Sequence, residues 1–411
     1  MPAAGWPVVS SNARNRDLRL WGRDYARDPF PVLAELRERG PLAALRVPMV
    51  GRVHVTTTHA ATAEALKCPD LVMEGCNVEG TTRPPGPVGV RWWMANLLGP
   101  LTRNMLSLDE PEHRRLRQSV DHAFKRRDVL AMTDDVNERA RRAVCTLPAE
   151  CDLLADFAQP FPLAVIADLL GVSDGRRDAF ARASRPLGDM GSGASMVRAL
   201  ASLRGLLGIV REELAEAPGR PGLIGELAAV EDGMDDDERV ATVFLLLLAG
   251  FETTSNAICN AVVALEAFPA ERDRWLSGEI DDRRAAEELL RFASPVHGTK
   301  PRYVARDTVI AGEPLFAGEV VMPWVAAANA DPAMFAEPDT LDLARFPNPH
   351  LVFGSGIHFC LGLQLARIEL LAALRALYEE RGGVTILEEP HWNERIGMRR
   401  LSRLPVRLGQ V

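Results

Sequence analysis

Hydrophobic and polar residues follow two different periods along this chain. Apolar residues three to four positions apart predict helices at "PFPVLAELRERG" near residue 30, at "HAATAEALK" from His59, and through most of 110–265. Strict alternation in "GRVHVTTT" at 51–58 predicts a strand, and shorter strands follow at 306–326 and in the tail. A helix is predicted over 361–381. The pattern therefore predicts a mainly α protein, a large helical domain with small β-sheets near its two ends.

Glycine and proline mark the joints of this pattern. They interrupt the helical region at 186–194 and 216–222, and residues 69–105 and 329–359 have no regular period. No internal repeat or low-complexity segment divides the chain. We therefore expect a single domain over residues 1–411, with β-rich parts at about 1–70, 296–330 and 383–411.

Composition narrows the class of protein. The 411 residues are 47% hydrophobic and 25% charged, with a net charge of −8, which argues against a nucleic-acid partner. The N-terminus lacks the basic and apolar regions of a signal peptide. The densest apolar run, Val240 to Phe251, is shorter than the roughly 20 residues that span a bilayer. We expect a cytoplasmic protein without a membrane partner.

One cysteine of six has an unusual setting. The cysteines form no C-x-x-C pair and no spacing typical of a zinc site, so five are read as small buried hydrophobes. Cys360 lies in "FGSGIHFCLG" (353–362), directly before the helix expected from Leu361. A helix start and the amides of Leu361 and Gly362 would stabilise a thiolate. Such a thiolate serves as a nucleophile or a metal ligand; the alternative is a buried structural cysteine.

The stretch "FGSGIHFCLG" resembles the haem-binding signature of the cytochromes P450, F-G-x-G-x-H/R-x-C-x-G, at every fixed position. The resemblance implies the cytochrome P450 fold and haem b as cofactor, with Cys360 as the thiolate ligand of the iron. Phe353 would pack near the haem, His358 would contact a propionate, and Gly362 would let the flat cofactor approach the backbone.

A second stretch, "LLLLAGFETTSN" at 245–256, places polar residues in a helix that is otherwise apolar. Glycine and a carboxylate there cost stability, although a threonine hydroxyl can bond back to the carbonyl four residues earlier. The stretch resembles the family's distal-helix motif. It implies that the helix opens at Ala249 and Gly250 for O₂ and water, that Thr253 assists O₂ activation, and that Glu252 passes protons inward.

Further charged residues match the family at their spacing. His113 and Arg117 lie four apart, and with Arg302 and His358 they would supply the cationic donors that two haem propionates need; the alternative for each is a surface charge. In "EELLRF", Glu288 and Arg291 have the spacing of an ordinary solvated pair, worth tenths of a kcal/mol. The resemblance instead implies a structural cluster with Arg345 that fixes the loop carrying Cys360.

Two other regions of the sequence bear on the docking of an electron donor and on the substrate pocket. Residues 113–127 carry six Lys/Arg against one Asp, which favours docking of an acidic ferredoxin served by a separate ferredoxin reductase; a solvated face is the alternative. The glycines of 183–200 suit a lid. His297 is either a polar handle for substrate or a core histidine. The family's pocket positions correspond to Leu246, Val296, His297 and Met398. Trp92 and Trp93 lie in the region that covers the family's pocket, where they would either line it or pack in the core or lid.

Together these features indicate a monomeric haem-thiolate monooxygenase. It would activate O₂ to hydroxylate or otherwise oxidise a small hydrophobic molecule, as in the tailoring of secondary metabolites. One alternative is oxidative coupling or another oxidation without oxygen insertion, and another is a non-catalytic haem sensor. The Glu252–Thr253 pair favours O₂ activation.

Overall fold

The computed structural model describes residues 18–48, 50–80, 101, 103–125, 129–184, 194–229 and 233–409. Helices dominate the described chain, as the sequence pattern predicts. They are α1 (Arg23–Arg27), α2 (Phe30–Arg37), α3 (His59–Lys67), α4 (Glu112–Lys125), α5 (Thr133–Cys145), α6 (Pro160–Leu170), α7 (Asp174–Ser184), α8 (Ala194–Ala215), α9 (Leu223–Ala228), α10 (Asp236–Ala267), α11 (Pro269–Leu276), α12 (Asp282–Phe292), α13 (Val325–Asn329) and α14 (Leu363–Arg375).

Short strands form small sheets on either side of the helices. They are β1 (Leu42–Val47), β2 (Gly51–Thr56), β3 (Leu71–Val72), β4 (Glu150–Asp152), β5 (Arg302–Val304), β6 (Thr308–Ile310), β7 (Glu313–Leu315), β8 (Val320–Met322), β9 (Val384–Ile386), β10 (His391–Trp392), β11 (Leu401–Arg403) and β12 (Pro405–Leu408). The largest sheet has the order β1-β2-β8-β5-β3, in which only the pairing of β2 with β8 is parallel. A second sheet, β4-β12-β9, ties the C-terminus to the helical part.

Helix α10 is the centre of the main core. It packs against α6, α8 and α14, and most of its side chains are buried. It begins with a capping box, in which the Asp235 carboxylate accepts from Glu238 N and Glu238 reaches back to Asp235 N. Of the described helices, α10 alone is long and apolar enough to cross a membrane, but 61% of its most apolar stretch is buried in the fold, which suits a core helix.

Local differences from the sequence prediction lie at element ends. The helix expected over 361–381 begins at Leu363, and its α-helical part ends at Arg375, after which a wider π-type turn runs to Glu380. The strand expected over 51–58 ends at Thr56, because Thr58 caps α3 by accepting from Ala61 N. Its partner β1 lies in a stretch for which the pattern predicted no strand. The irregular region 69–105 contains the short strand β3.

Candidate active site

The loop before α14 is shaped by two glycines in the left-handed region. Gly354 has φ 71° and Gly356 has φ 74°, angles that other residues adopt at a cost. A Cβ on Gly356 would lie 2.7 Å from the carbonyl oxygen of Leu66, whereas one on Gly354 would meet nothing closer than 4.0 Å. The backbone N–H of Cys360 donates to Phe353 O at 2.9 Å. These constraints fold the loop back on itself and fix the direction of the Cys360 side chain.

The surroundings of Cys360 act on its thiol in opposite directions. Burial raises the pKa of the thiol, while the Gly362 N–H and the positive charges of Arg117 and Arg367 lower it, leaving a net increase. A thiolate at this point would therefore gain from a further positive charge bound directly to sulfur. The predicted Gly362 amide contact is present, although α14 begins two residues later than expected, at Leu363.

Contacts among Arg367, Glu287 and His350 support the loop that carries Cys360. The guanidinium of Arg367 lies over the Phe353 ring, 4.7 Å from its centroid, and its Nε is 2.5 Å from Glu287 Oε1. His350 Nε2 is 2.8 Å from Glu287 Oε2. Burial alone would raise the pKa of Glu287, but His350 and Arg367 outweigh it and bring the value to about 2. Phe353 is therefore held by a charge network rather than by apolar packing alone.

Two histidines meet on the other side of the loop. The rings of His113 and His358 are 4.6 Å apart between centroids, edge to face. His113 is 3% exposed; its Nε2 has no hydrogen-bond partner among the described residues, and its Nδ1 only faces Glu110 Oε1 at 3.5 Å. Burial lowers the pKa of His358 to about 3, helped by the positive charges of its neighbours. The pair lacks a negative group that would satisfy it.

Arg302 completes this cationic cluster. It is 5% exposed; its Nη1 donates to the carbonyls of Ala65 and Leu66, and its Nε has no acceptor in the described part of the chain. Arg117 donates from Nη1 to Phe359 O and pairs with Asp121. Lys300, which the sequence analysis did not select, donates to Ser107 Oγ at 2.7 Å and lies close enough to lower the pKa of His358.

These donors fit a cofactor with two carboxylates and a metal that accepts a thiolate. Leaving Arg302 Nε and His113 Nε2 buried without hydrogen-bond partners among the described residues is costly, and carboxylates would relieve that cost. Among the predicted residues, the structure brings together Cys360, His113, Arg117, Arg302 and His358 around one space. Haem b, which the signature implies, has the required groups.

Helix α10 borders the same space. Ala249 is exposed in the middle of a helix whose neighbouring turns are mostly buried, so α10 has an open face at this turn. Thr253 lies one turn on and donates from Oγ1 to Ala249 O at 2.6 Å. Helix α10 is continuous from Asp236 to Ala267, and the contact of Thr253 with Ala249 O lies at the turn where the resemblance implies an opening. Gly250 was expected beside the cofactor, but its Cα faces Ile166 of α6, where a Cβ would come within 3.0 Å.

Glu252 is held by two arginines from the C-terminal tail. Its Oε1 is bonded to Arg395 Nη1, and it lies 3.1 Å from Arg400 Nη1. The Glu252 side chain is 13% exposed, and that of Arg395 is 39% exposed. The pair thus links the polar turn of α10 to solvent. Sequence reasoning missed both arginines, because they lie more than 140 residues from Glu252.

A second carboxyl group, that of Glu369, lies next to Thr254 of α10. Glu369 of α14 is 2% exposed, and Thr254 Oγ1 lies 3.3 Å from its Oε2 while also donating to Gly250 O at 2.9 Å. Burial raises the pKa of Glu369 well above its usual value. Glu369 is therefore a buried carboxyl group whose neutral form is favoured, and the Thr254 hydroxyl joins it to α10. Its place in "LARIE", nine residues after Cys360, was a signal available in the sequence.

Glu288, Arg291 and Arg345 form a buried cluster. The Glu288–Arg291 pair has the spacing of a solvated pair, but both side chains are 0% exposed, so that interpretation by spacing is wrong. Arg345 Nε lies 3.1 Å from both Glu288 oxygens. Arg291 also donates to the carbonyls of Asn329 and Pro338. The cluster thus joins α12 to the loop that leads to Cys360.

The residues predicted to line the substrate pocket lie in different environments. Val296 and Met398 pair in an isolated β-bridge beside the cavity, and Leu246 is 8% exposed within the main core. His297 is a core histidine: its Nδ1 is 2.9 Å from Tyr25 Oη, and burial lowers its pKa to about 3. It is therefore no polar handle. Trp92 and Trp93 lie outside the described residues.

The described arginines of the basic stretch 113–127 are already paired, whereas the Lys125 side chain, Arg126 and Arg127 lie outside the described residues. Arg115 Nη2 is 2.6 Å from Glu238, Arg114 pairs with Glu110, and Arg117 pairs with Asp121. The acids come partly from outside the stretch, which is why counting within it overestimated the charge. Ile357 and Phe359, 46% and 42% exposed, lie beside this face.

Comparisons with known proteins identify the family that this chain resembles over its length. The family model described as Cytochrome P450 matches residues 283–380. The chain is 35% identical to a vitamin D(3) 25-hydroxylase of Pseudonocardia autotrophica, covering 95% of this chain and 96% of that protein, and 31% identical to the monooxygenase PikC of Streptomyces venezuelae, covering 95% and 94%. A myxobacterial cytochrome P450 solved with myristic acid superposes with a TM-score of 0.83 at 30% identity, covering 95% and 99%.

Proposed function

This chain belongs to the cytochrome P450 family and is a monooxygenase, and we propose that it holds haem b through the Cys360 thiolate and oxidises a small hydrophobic molecule. The observation that carries the proposal is the convergence near Cys360 of Arg117, buried Arg302 and the His113–His358 ring pair, in which Arg302 Nε and His113 Nε2 have no hydrogen-bond partner among the described residues. His113, Arg117, Arg302 and His358, joined by Lys300, would bind the propionates. Iron in thiolate-ligated haem activates O₂ with electrons from a donor.

The chain's own residues would handle the protons of this reaction. Glu252 lies at the boundary between α10 and solvent, and its two arginine partners hold its carboxylate in one place. A rotation of Arg395 toward solvent would leave Glu252 Oε1 with Arg400 alone and open the carboxylate to proton exchange with water. The Thr253 hydroxyl, which now donates to Ala249 O, would turn toward the cavity and pass a proton there.

The substrate would be a small hydrophobic molecule bound on the exposed face of α10. Ala249, Val296 and Met398 would border that face. His297, which the sequence suggested as a polar contact for the substrate, is instead bound to Tyr25. Several relatives act in secondary metabolism by name, among them a polyketide biosynthesis cytochrome P450 of Bacillus subtilis. We therefore assign this chain to the tailoring of a secondary metabolite in the cytoplasm, without a membrane partner.

Electrons would arrive from a separate ferredoxin at the face of Cys360. On that face a cleft of about 290 Å³ is lined by Phe124, Val129 and Leu361, and exposed Ile357 and Phe359 adjoin it. Because the described arginines of α4 are already paired, docking would depend on apolar contact as well as on charge. We therefore expect the salt dependence of reduction to be weaker than six free cations would produce.

Two measurements test the proposal. The carbon monoxide adduct of the reduced, haem-loaded protein should show thiolate coordination, and Cys360→Ala should lose that signature; an unaltered signature would refute the ligand assignment. Turnover with a surrogate ferredoxin and reductase should then be compared between the native chain and Thr253→Ala. Product formation that stays fully coupled to electron use in Thr253→Ala would contradict the proton-handling role.

A further inference from the structure

A cleft on the far side of α10 shares no lining residue with the proposed active site. It has a volume of about 440 Å³ and lies between α2, the C-terminal turns of α10, and the end of α12. Its apolar wall includes three phenylalanines in mutual contact: Phe30 and Phe268 lie 5.2 and 5.5 Å from Phe292 between ring centroids. The wall therefore offers a preformed surface for an aromatic or short alkyl group.

The buried end of the cleft carries a positive charge. Arg399 is 7% exposed, and its Nε and Nη2 donate to the carbonyls of Ala26 and Arg27. No carboxylate of the described residues lies within 4 Å of its guanidinium, and no acceptor among them bonds its Nη1. Burial lowers the pKa of Arg399 to about 10, so the group remains charged at pH 7.

The other charged groups of the cleft are mostly engaged already. Arg27 and Arg37 have side chains 27% and 19% exposed and pair with Glu389 and Asp331, which lie outside the lining. The two acids of the lining are Asp28 and Asp339, and Asp28 Oδ1 accepts from Phe30 N. Arg399 makes no salt bridge within the described residues and has only the more distant charge of Asp28, so it is the arginine of the lining that favours an anionic group.

We propose that this cleft is a second ligand site, which binds a small amphipathic carboxylate with its carboxyl group on Arg399 and its apolar body against the phenylalanine wall. A carboxylate matches the planar guanidinium, and its burial there offsets the cost of an isolated buried charge. The Asn260 amide donates to Arg399 O at 2.9 Å and so holds the arginine backbone in place before a ligand arrives.

The test uses 4-phenylbutyrate as probe on the haem-loaded protein, with 4-phenylimidazole saturating the haem pocket. Equilibrium dialysis should find one 4-phenylbutyrate per chain, with a dissociation constant of about 1 mM or below. The uncharged analogue 4-phenyl-1-butanol should bind roughly tenfold or more weakly, since it lacks the charge-assisted contact. Equal affinity for the two probes, or no binding of either, would overturn the proposal.

Two variants place the bound probe in the cleft. Ala34 is exposed on α2 and lines the cleft, so Ala34→Trp should fill it and weaken 4-phenylbutyrate binding at least about tenfold. Glu38→Trp, at the exposed end of the same helix and outside the cleft, is the matched control and should bind normally. Arg399→Gln should abolish the preference for the acid over the alcohol. Native affinity in Ala34→Trp would refute the site even if Arg399→Gln fails to fold.

Discussion

Replacing Arg291 by glutamine should be among the most damaging single changes in the protein. Arg291 makes two bonds of 2.7 and 2.8 Å to Glu288, and its other donors satisfy the carbonyls of Asn329, Pro338 and Thr340. Removing one partner of a buried ion pair costs about 3–5 kcal/mol. Because Arg345 would still lie 3.1 Å from the Glu288 carboxylate, we expect the lower end, about 3 kcal/mol.

The same helix supplies a matched control. Arg284 pairs with Asp281 at 3.2 Å and the same three-residue spacing, but its side chain is 50% exposed. Arg284→Gln should therefore cost less than about 0.5 kcal/mol. Guanidinium unfolding of the haem-loaded proteins, followed by far-ultraviolet circular dichroism, measures both costs. A difference between the two variants below about 1 kcal/mol would refute the assignment of Arg291 to a buried, structural pair.

Arg291→Gln should also loosen the haem. Arg291 donates to Asn329 O, the Asn329 side chain accepts from Leu351 N at 2.8 Å, and Leu351 O accepts from Gly354 N at 2.9 Å. This chain of bonds ends in the loop that carries Cys360. Haem retained on dialysis against apomyoglobin should fall in Arg291→Gln and stay at the native level in Arg284→Gln. Equal retention would show that the cluster does not support the loop.

The remaining predictions concern acid stability, backbone strain and proton delivery. Folding lowers the pKa of Glu287 from 4.5 to about 2, so its contribution to the free energy of unfolding is present above pH 4.5 and is lost as the pH falls toward 2. After screening by solvent this contribution is about 1–2 kcal/mol. The denaturation midpoint of Glu287→Gln should therefore fall less steeply over that pH range than the midpoint of the native chain. Gly356→Ala should lose haem and at least about 2 kcal/mol of stability, because its Cβ would clash with the Leu66 carbonyl. Gly354→Ala, whose Cβ meets no close atom, should lose only about 1 kcal/mol. Equal losses in the two variants would contradict the predicted clash. Arg395→Gln removes one guanidinium from Glu252, and we expect product formed per electron pair to fall about twofold to tenfold while substrate-induced spin-state changes persist; unchanged coupling would exclude a role for this arginine.

Sequence alone determined the features whose residues are close along the chain. The cysteine loop, the polar turn of α10 and the Glu288–Arg291 pair could each be recognised because each is a short stretch that resembles a motif of the family. Helical spacing by itself showed only which side chains share a face. The mainly α architecture with small sheets is likewise confirmed, since its periodic segments are long. The opening of α10 implied by the resemblance stays a prediction: the helix continues through Ala249 and Gly250, and the Thr253 and Thr254 hydroxyls bond back to their carbonyls.

Only the tertiary structure decided which charges are buried and which partners they find. Spacing could not show that the Glu288 pair is fully buried, that His297 is bound to Tyr25, or that tail arginines hold Glu252. Each of these depends on segments separated by tens to hundreds of residues. The cost of an ionic group depends on its distance from water and from counter-charges, and both distances are set by packing rather than by order along the chain.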